Sequence, residues 1–197
     1  MAEGPAARST GRPPRLDRTK VGLAGIALAD ERGLAAATMR NVADRLDSSP
    51  AALYRHVSGH DDLVALMVDL IIGQFPGRRV TGNWRDDLER FVGDLLGLHR
   101  SHPWLASAPV PTDVGPQTTR MLEALLEILA AHPADRGRKL AAVAVMLNLV
   151  AGLSLWGPAA ADVRTTLVGE GEAAGPGDLD AIRIVVDAVG GVLSPDR

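Results

Sequence analysis

Between Ser49 and His60 the residue types alternate in a way that suits contact with a polyanion. Stepping 100° per residue along a helix, Pro50, Leu53 and Val57 share one side, while Ala51, Ala52 and Arg55 share the opposite side, flanked by Tyr54 and His56. The apolar side calls for a packing partner. The other side offers small residues for close approach, a guanidinium for a guanine edge or a phosphate, and Tyr54 and His56 for phosphate or base contacts. On this pattern alone, an ordinary surface helix bearing one Arg and one His is an equally good reading.

Other constellations carry less. His99 and His102 are three apart, a spacing that places two imidazoles on one helical face, but no carboxylate motif completes a metal site. Both also fall at a helix C-terminus, where the dipole favours His, so no metal is expected. No Ser, His and acid set stands in a recognisable context for catalysis. The loop containing Gly169, Gly171 and Gly175 is acidic and follows no strand, so it should repel phosphate. Neither an enzyme nor a cofactor is expected. Asn148 lies inside the apolar run from Ala141 to Leu155, where an amide needs a partner: a ligand, a carbonyl or a second subunit.

The elements that must position these groups are helices. The chain has 197 residues, 46% of them hydrophobic, but only six aromatic side chains, so Ala, Val and Leu must fill the core, as suits close-packed helices. The absence of cysteine excludes disulfide scaffolds and thiolate zinc sites and makes the cytoplasm the default location. Residues 1–60 carry nine Lys/Arg against six acids, a net of +3, leaving −6 on the remainder. A basic end joined to an acidic body fits one end meeting a polyanion while the other stays clear.

Residues 1–14 are expected to form a flexible arm. A first helix follows from about Leu16 to Arg32, closed by Gly33; a second begins after Thr38 with Val42, Ala43 and Leu46 inward and ends near Asp47. Ser49 caps a third that starts at Pro50 and closes near Val57. A fourth, connecting helix spans about 60–75, its first turn acidic at Asp61 and Asp62. These place a helix-turn-helix unit at 15–62 and a second domain at 76–197, with the boundary in the turn-rich stretch after Pro76. Helical patterns resume from Trp84 to about Arg100, Gly115 to Ala131, Asp135 to Trp156 and Leu179 to Leu193. Leu140 to Ala161 holds no charge, but Gly157 and Pro158 are expected to end that helix after Trp156, which favours a bundle helix over a membrane span.

Two helices carry more apolar surface than one neighbour can cover. Asp135 to Trp156 presents Leu140, Val143, Leu147 and Val150 on one side and Met146, Leu149, Leu153 and Trp156 on another; the last helix has Leu179, Ile182, Val186, Val189 and Leu193 at steps of three and four. Intrachain core explains one face of each; a four-helix interface between two copies explains both. His99, Trp104, Met121, Leu125, Met146, Asn148, Leu149 and Trp156 are the candidate lining of a ligand cavity.

Taken in order, Leu16 to Phe75 resembles the TetR family of transcriptional regulators. The likeness rests on the Ala/Leu-rich first helix ending at Gly33, then Thr38-Met39-Arg40, Val42-Ala43, Leu46 and above all Leu53-Tyr54-Arg55-His56-Val57. His102-Pro103-Trp104-Leu105 and the helices after it are similar to the tetracycline-repressor type of C-terminal domain. The resemblance implies an all-α protein, with an N-terminal three-helix DNA-binding domain and a C-terminal helical ligand-binding and dimerisation domain. It implies a homodimeric repressor that binds a palindromic double-stranded operator and leaves it when a small-molecule effector binds. A regulator controlled by a protein partner or by concentration is the alternative. The implied DNA-facing set is Thr38, Arg40, Ser49, Ala51, Ala52, Tyr54, Arg55, His56 and His60. Two positions depart from the family pattern: Asp47 stands where Gly is usual in the turn, and His60 where a phosphate-binding Lys usually starts the fourth helix.

Overall fold

The computed structural model describes residues 16–76, 80–109, 113–168 and 178–194, with side chains through 155 and again from 179. The arm and the Gly169–Gly175 loop expected from the sequence fall outside the described residues, as does the side chain of Trp156. Among the described residues every regular element is helical: α1 (Arg18–Arg32), α2 (Met39–Arg45), α3 (Pro50–Leu53), α4 (His60–Ile72), α5 (Trp84–Ser101), α6 (Pro116–Ile128), α7 (Arg136–Val168) and α8 (Asp178–Leu193), with short 3-10 turns at Leu34–Ala36, Pro103–Ser107 and Leu129–Ala131.

The first three helices begin on side-chain caps, two of them, Thr38 and Ser49, expected from the sequence. Asp17 accepts from the Lys20 amide at 2.8 Å, Thr38 from Asn41 at 3.1 Å and Ser49 from Ala52 at 3.3 Å, each supplying an acceptor to a first-turn amide that the helix itself leaves unpaired. Gly33 ends α1 at φ 81°, a conformation that costs glycine little. Close packing of α1 on α4 depends on two further glycines: a Cβ at Gly22 would lie 2.4 Å from Leu70 Cδ1, and one at Gly25 2.7 Å from Met67 Sδ.

Two apolar clusters form. The N-terminal one gathers Val21, Leu28, Val42, Ala43, Leu53, Val57, Leu63 and Met67, so the inward faces expected for α1 to α3 are the ones buried; Pro50, at the exposed start of α3, is the exception. The C-terminal cluster joins Phe91, Leu95, Leu125, Met146, Val150, Val185 and Val189 from α5 to α8.

Several expectations are corrected. Gly157 and Pro158 do not end α7, which continues to Val168; an interior proline costs a helix a ladder hydrogen bond and a ring–carbonyl clash, and the Ala159 to Ala161 run that follows is made of the strongest helix former. Over Arg136–Leu155, α7 is long and apolar enough to cross a membrane by length and composition, yet its Ala142, Val143, Met146 and Val150 side packs in the C-terminal core. The α8 stripe is core as well: Val186, Val189 and Leu193 are buried within the chain, as are Val143 and Val150. Ile182 and Leu147 pack partly against that core, while Leu140 and Leu179 are exposed. The exposed residues of α7 form a different stripe, Ala141, Ala144, Asn148 and Leu155 beside Leu140, because α5 and α8 cover the face with the larger side chains. Asn148 is therefore not enclosed, and its amide donates to the Ala144 carbonyl one turn back at 2.8 Å.

Candidate nucleic-acid interface

The third helix is short. Only Pro50–Leu53 is α-helical, and the chain then tightens through a turn in which the amides of His56 and Val57 both bond the Leu53 carbonyl, at 2.8 and 3.0 Å. Leu53 and Val57 anchor it from below, fully covered. Ala51, Tyr54 and Arg55 stand exposed, with Ala52 and His56 half-buried at the edges. Tyr54 keeps 56% of its surface in solvent, a large aromatic with no apolar partner to hide it. Upstream, Asp47 takes φ 47°, the one left-handed non-glycine among the described residues, so the turn keeps its shape with an aspartate where glycine is usual. Thr38 and Arg40, at the start of α2, and His60, the first residue of α4, are exposed too.

Paired and unpaired charges are separated across this unit. Arg45 grips Glu31 with two hydrogen bonds at 2.8 and 2.6 Å, tying α2 to the end of α1 and holding the Glu31 carboxyl below the usual range. Arg18, at the start of α1, is engaged with Asp62. Among the described residues Arg40 and Arg55 make no ion pair and carry uncompensated charge outward.

The C-terminal candidates do not assemble as one set. Met121, Leu125 and Met146 meet in the larger core with Leu149 packed against it, but Asn148 faces outward. Trp104 joins the N-terminal cluster instead, its indole N–H donating to Asp30 Oδ1 at 2.8 Å while His102 Nδ1 lies 2.8 Å from the same oxygen. The Pro103–Ser107 turn that carries Trp104 also lies against α5 and α7, so it sits where the two helical bodies meet, which a one-dimensional pattern does not reveal. His102 is thus held by an acid and separated in role from His99, whose Nδ1 is buried without a hydrogen-bond partner and whose imidazole burial holds below the ordinary range.

One buried carboxylate is not marked out by any of the sequence motifs. Asp69, on α4, accepts from the amides of Gln117 and Thr118 at 2.9 and 2.8 Å and from the Thr118 hydroxyl at 3.1 Å, capping α6 across the molecule. The signal that could have found it is a single acid inside the apolar run Val64 to Ile72.

A three-helix unit rooted through its fourth helix in a larger helical body has the architecture of a helix-turn-helix domain. Residues 23–67 match the family model for bacterial regulatory proteins of the tetR family. The chain is 35% identical over 141 residues to an HTH-type transcriptional regulator of Saccharopolyspora erythraea, covering 71% of this chain and 60% of that protein. It is 34% identical over 127 residues to the HTH-type transcriptional repressor DrrR1 of Streptomyces coeruleorubidus, covering 61% and 46%. The chain thus spans between about half and three fifths of the length of these relatives. Among solved structures, the Streptomyces coelicolor TetR family protein ActR in complex with (S)-DNPA superposes with a TM-score of 0.74 at 18% identity, over 93% of this chain and 100% of that one. Mycobacterium smegmatis BioQ gives 0.69 at 22% identity with its double-stranded DNA operator, over 89% and 98%. Residues 23–67 thus match the DNA-binding domain of the tetR family of bacterial regulatory proteins, and the chain as a whole shares the fold of TetR-family structures.

Proposed function

We propose that this regulator is a homodimeric repressor, acting in the cytoplasm, which occupies a palindromic operator and releases it when a small molecule binds the C-terminal helices. The observation that carries the DNA half is the exposed edge of the α3 turn, where Tyr54 and an unpaired Arg55 project beyond alanines small enough to admit a base edge. In this reading Arg55 reads a base, Thr38, Arg40, Ser49 and His60 meet backbone phosphates, and Ala51, Ala52, Tyr54 and His56 complete the groove surface. Ser49 caps α3 through its oxygen and keeps its hydroxyl proton for a phosphate.

The effector half is supported by His99: an imidazole with an unpaired buried nitrogen, in the body that also holds Met121, Leu125 and Met146, is a ready partner for a ligand hydroxyl or carbonyl. The ligand-bound ActR and operator-bound BioQ structures support the same division of labour by likeness of fold. The dimer face is assigned to the outer stripe of α7, Ala141, Ala144, Asn148 and Leu155, together with the exposed Ile184 of α8.

Footprinting the DNA beside the protein's own gene tests the reading: a protected, roughly palindromic site is expected. On that site Arg55→Ala should weaken binding by about 1 to 3 kcal/mol. Unchanged affinity for both this site and random DNA would remove Arg55 as the reader.

A further inference from the structure

Three segments of the helix-turn-helix unit meet at one ion pair. Arg18, the first residue of α1, donates from Nη1 to the His56 carbonyl at 2.5 Å and from Nη2 to Asp62 Oδ1 at 2.6 Å. Asp62 Oδ2 in turn accepts from the Ser58 amide at 2.7 Å and from the Ser58 hydroxyl at 3.2 Å. The start of α1, the end of the reading turn and the first turn of α4 are thereby closed into one hydrogen-bonded ring. We propose that Arg18 and Asp62 are positioning residues for DNA reading: they set the angle at which the α3 turn presents Tyr54 and Arg55, and neither is itself a contact to DNA. This rests on the DNA-reading role given to that turn above.

The physical need for such a brace follows from the turn's length. A helix of four residues has almost no internal ladder to hold its direction, and Leu53 and Val57 pin it only along its underside. The His56 carbonyl, at the end next to Arg55, finds its partner in the Arg18 fork. A planar guanidinium can serve a carbonyl and a carboxylate at once in fixed directions, which an ammonium group does not match. Burial works against the Asp62 charge, but the hydrogen bonds from Arg18 and Ser58 and the Arg18 charge outweigh it and hold the carboxyl below the usual range, so the pair stays ionised at neutral pH.

The proposal makes a prediction whose sign opposes simple electrostatics. Asp62→Asn removes a negative charge from a unit that approaches phosphates; if Asp62 were only a surface acid, the variant would bind every DNA more tightly. If it is a brace, binding to the correct sequence weakens. Wild-type protein is used to select a site from a random duplex library, and the selected duplex and a scrambled one of equal length are then titrated across a salt series with wild type, Asp62→Asn, Arg18→Ala and Arg18→Lys. All three variants should lose roughly tenfold or more on the selected duplex, change little on the scrambled one and keep the wild-type salt slope, because a misaimed reader loses base contacts and no phosphate contact is given up.

Tighter binding of both duplexes by Asp62→Asn overturns the proposal. So does an equal loss on both duplexes for Arg18→Ala, with a salt slope lowered by about 0.9 per subunit and rescue by Arg18→Lys, the pattern of a phosphate contact. Should Arg18→Ala fail to fold, judged by helical circular dichroism, the near-isosteric Asp62→Asn decides alone. Failure of the wild type to select any sequence would remove the DNA-reading role and this inference with it, whereas selection by the wild type with unaltered variants removes the inference only.

Discussion

An arginine can read DNA only if its own chain leaves it uncommitted, and the N-terminal unit separates the two kinds cleanly. Arg18 and Arg45 are locked to acids, while Arg40 and Arg55 extend from exposed positions without ion pairs. The same principle gives His60 its interest. It is exposed at the start of α4, where Gly59 supplies no side-chain cap and Asp61 and Asp62 follow. Exchanging it for a permanently charged side chain adds a cation where a phosphate is expected. His60→Lys should therefore tighten operator binding at about pH 8 and steepen its salt dependence by about 0.9 per subunit. Matching salt titrations of the two proteins would show that position 60 does not face a phosphate.

Elements distant in sequence are joined by two carboxylates that each serve a remote backbone or side chain. Asp30 of α1 receives Trp104 and His102, and Asp69 of α4 caps α6, so the segment between α5 and α6 is held at both of its ends by the helices that carry the reading turn. A small displacement of that segment must pull on α1 and α4, since a buried carboxylate does not give up three hydrogen bonds cheaply. Gly115 belongs to this joint. A Cβ there would stand 2.2 Å from the Asp69 carboxyl carbon, although its φ of −67° suits any residue. Asp69→Ala should destabilise the protein by about 1 to 3 kcal/mol through loss of the α6 cap. Urea unfolding followed by circular dichroism measures this, and a loss under about 0.5 kcal/mol would mean that water replaces the carboxylate at no cost.

At the scale of the whole molecule one face of α7 and α8 is core, and the outer face of α7 is the one assigned above to a second subunit. Val186 is 2% exposed, so Val186→Asp buries a charge inside one subunit and should abolish folding rather than release a folded monomer. Ala144→Asp lies on the outer stripe of α7 and should yield folded monomers by sedimentation, with helicity intact. An intact Ala144→Asp dimer would place the interface elsewhere. Stability of the whole fold should also fall with acid. His99 is held below the ordinary imidazole range by burial, and His132 by burial together with Lys139 and Arg85. The unfolded chain therefore binds more protons below about pH 6.5, and stability is lost as pH drops from there through the folded values. Asp62 and Asp87, both held below the carboxylate range, extend the loss at lower pH. His99→Leu should flatten the fall between about pH 7 and pH 5; an unaltered slope in urea titrations would assign it to other groups.

What the sequence determined by itself is local. Caps at Thr38 and Ser49, the glycine after α1 and the inward stripe Val42, Ala43, Leu53 and Val57 depend on neighbours within a turn or two, and so are legible from residue order alone. The outward face of the reading turn follows, because fixing one side of a helix fixes the other. Tertiary structure decided everything that needed two distant segments. The α7 and α8 stripes read equally well as core or as subunit interface, and only the packing of α5 and α8 on α7 turned the large side chains inward and left Asn148 outside. Trp104 enters the N-terminal core rather than the cavity expected for it, because a hydrophobic turn carries no mark of which cluster will receive it. The Arg18, Asp30 and Asp69 contacts reach across 38 to 74 residues, so no periodicity records them. A charged side chain announces that it needs a partner, but the chain's path through space chooses which one.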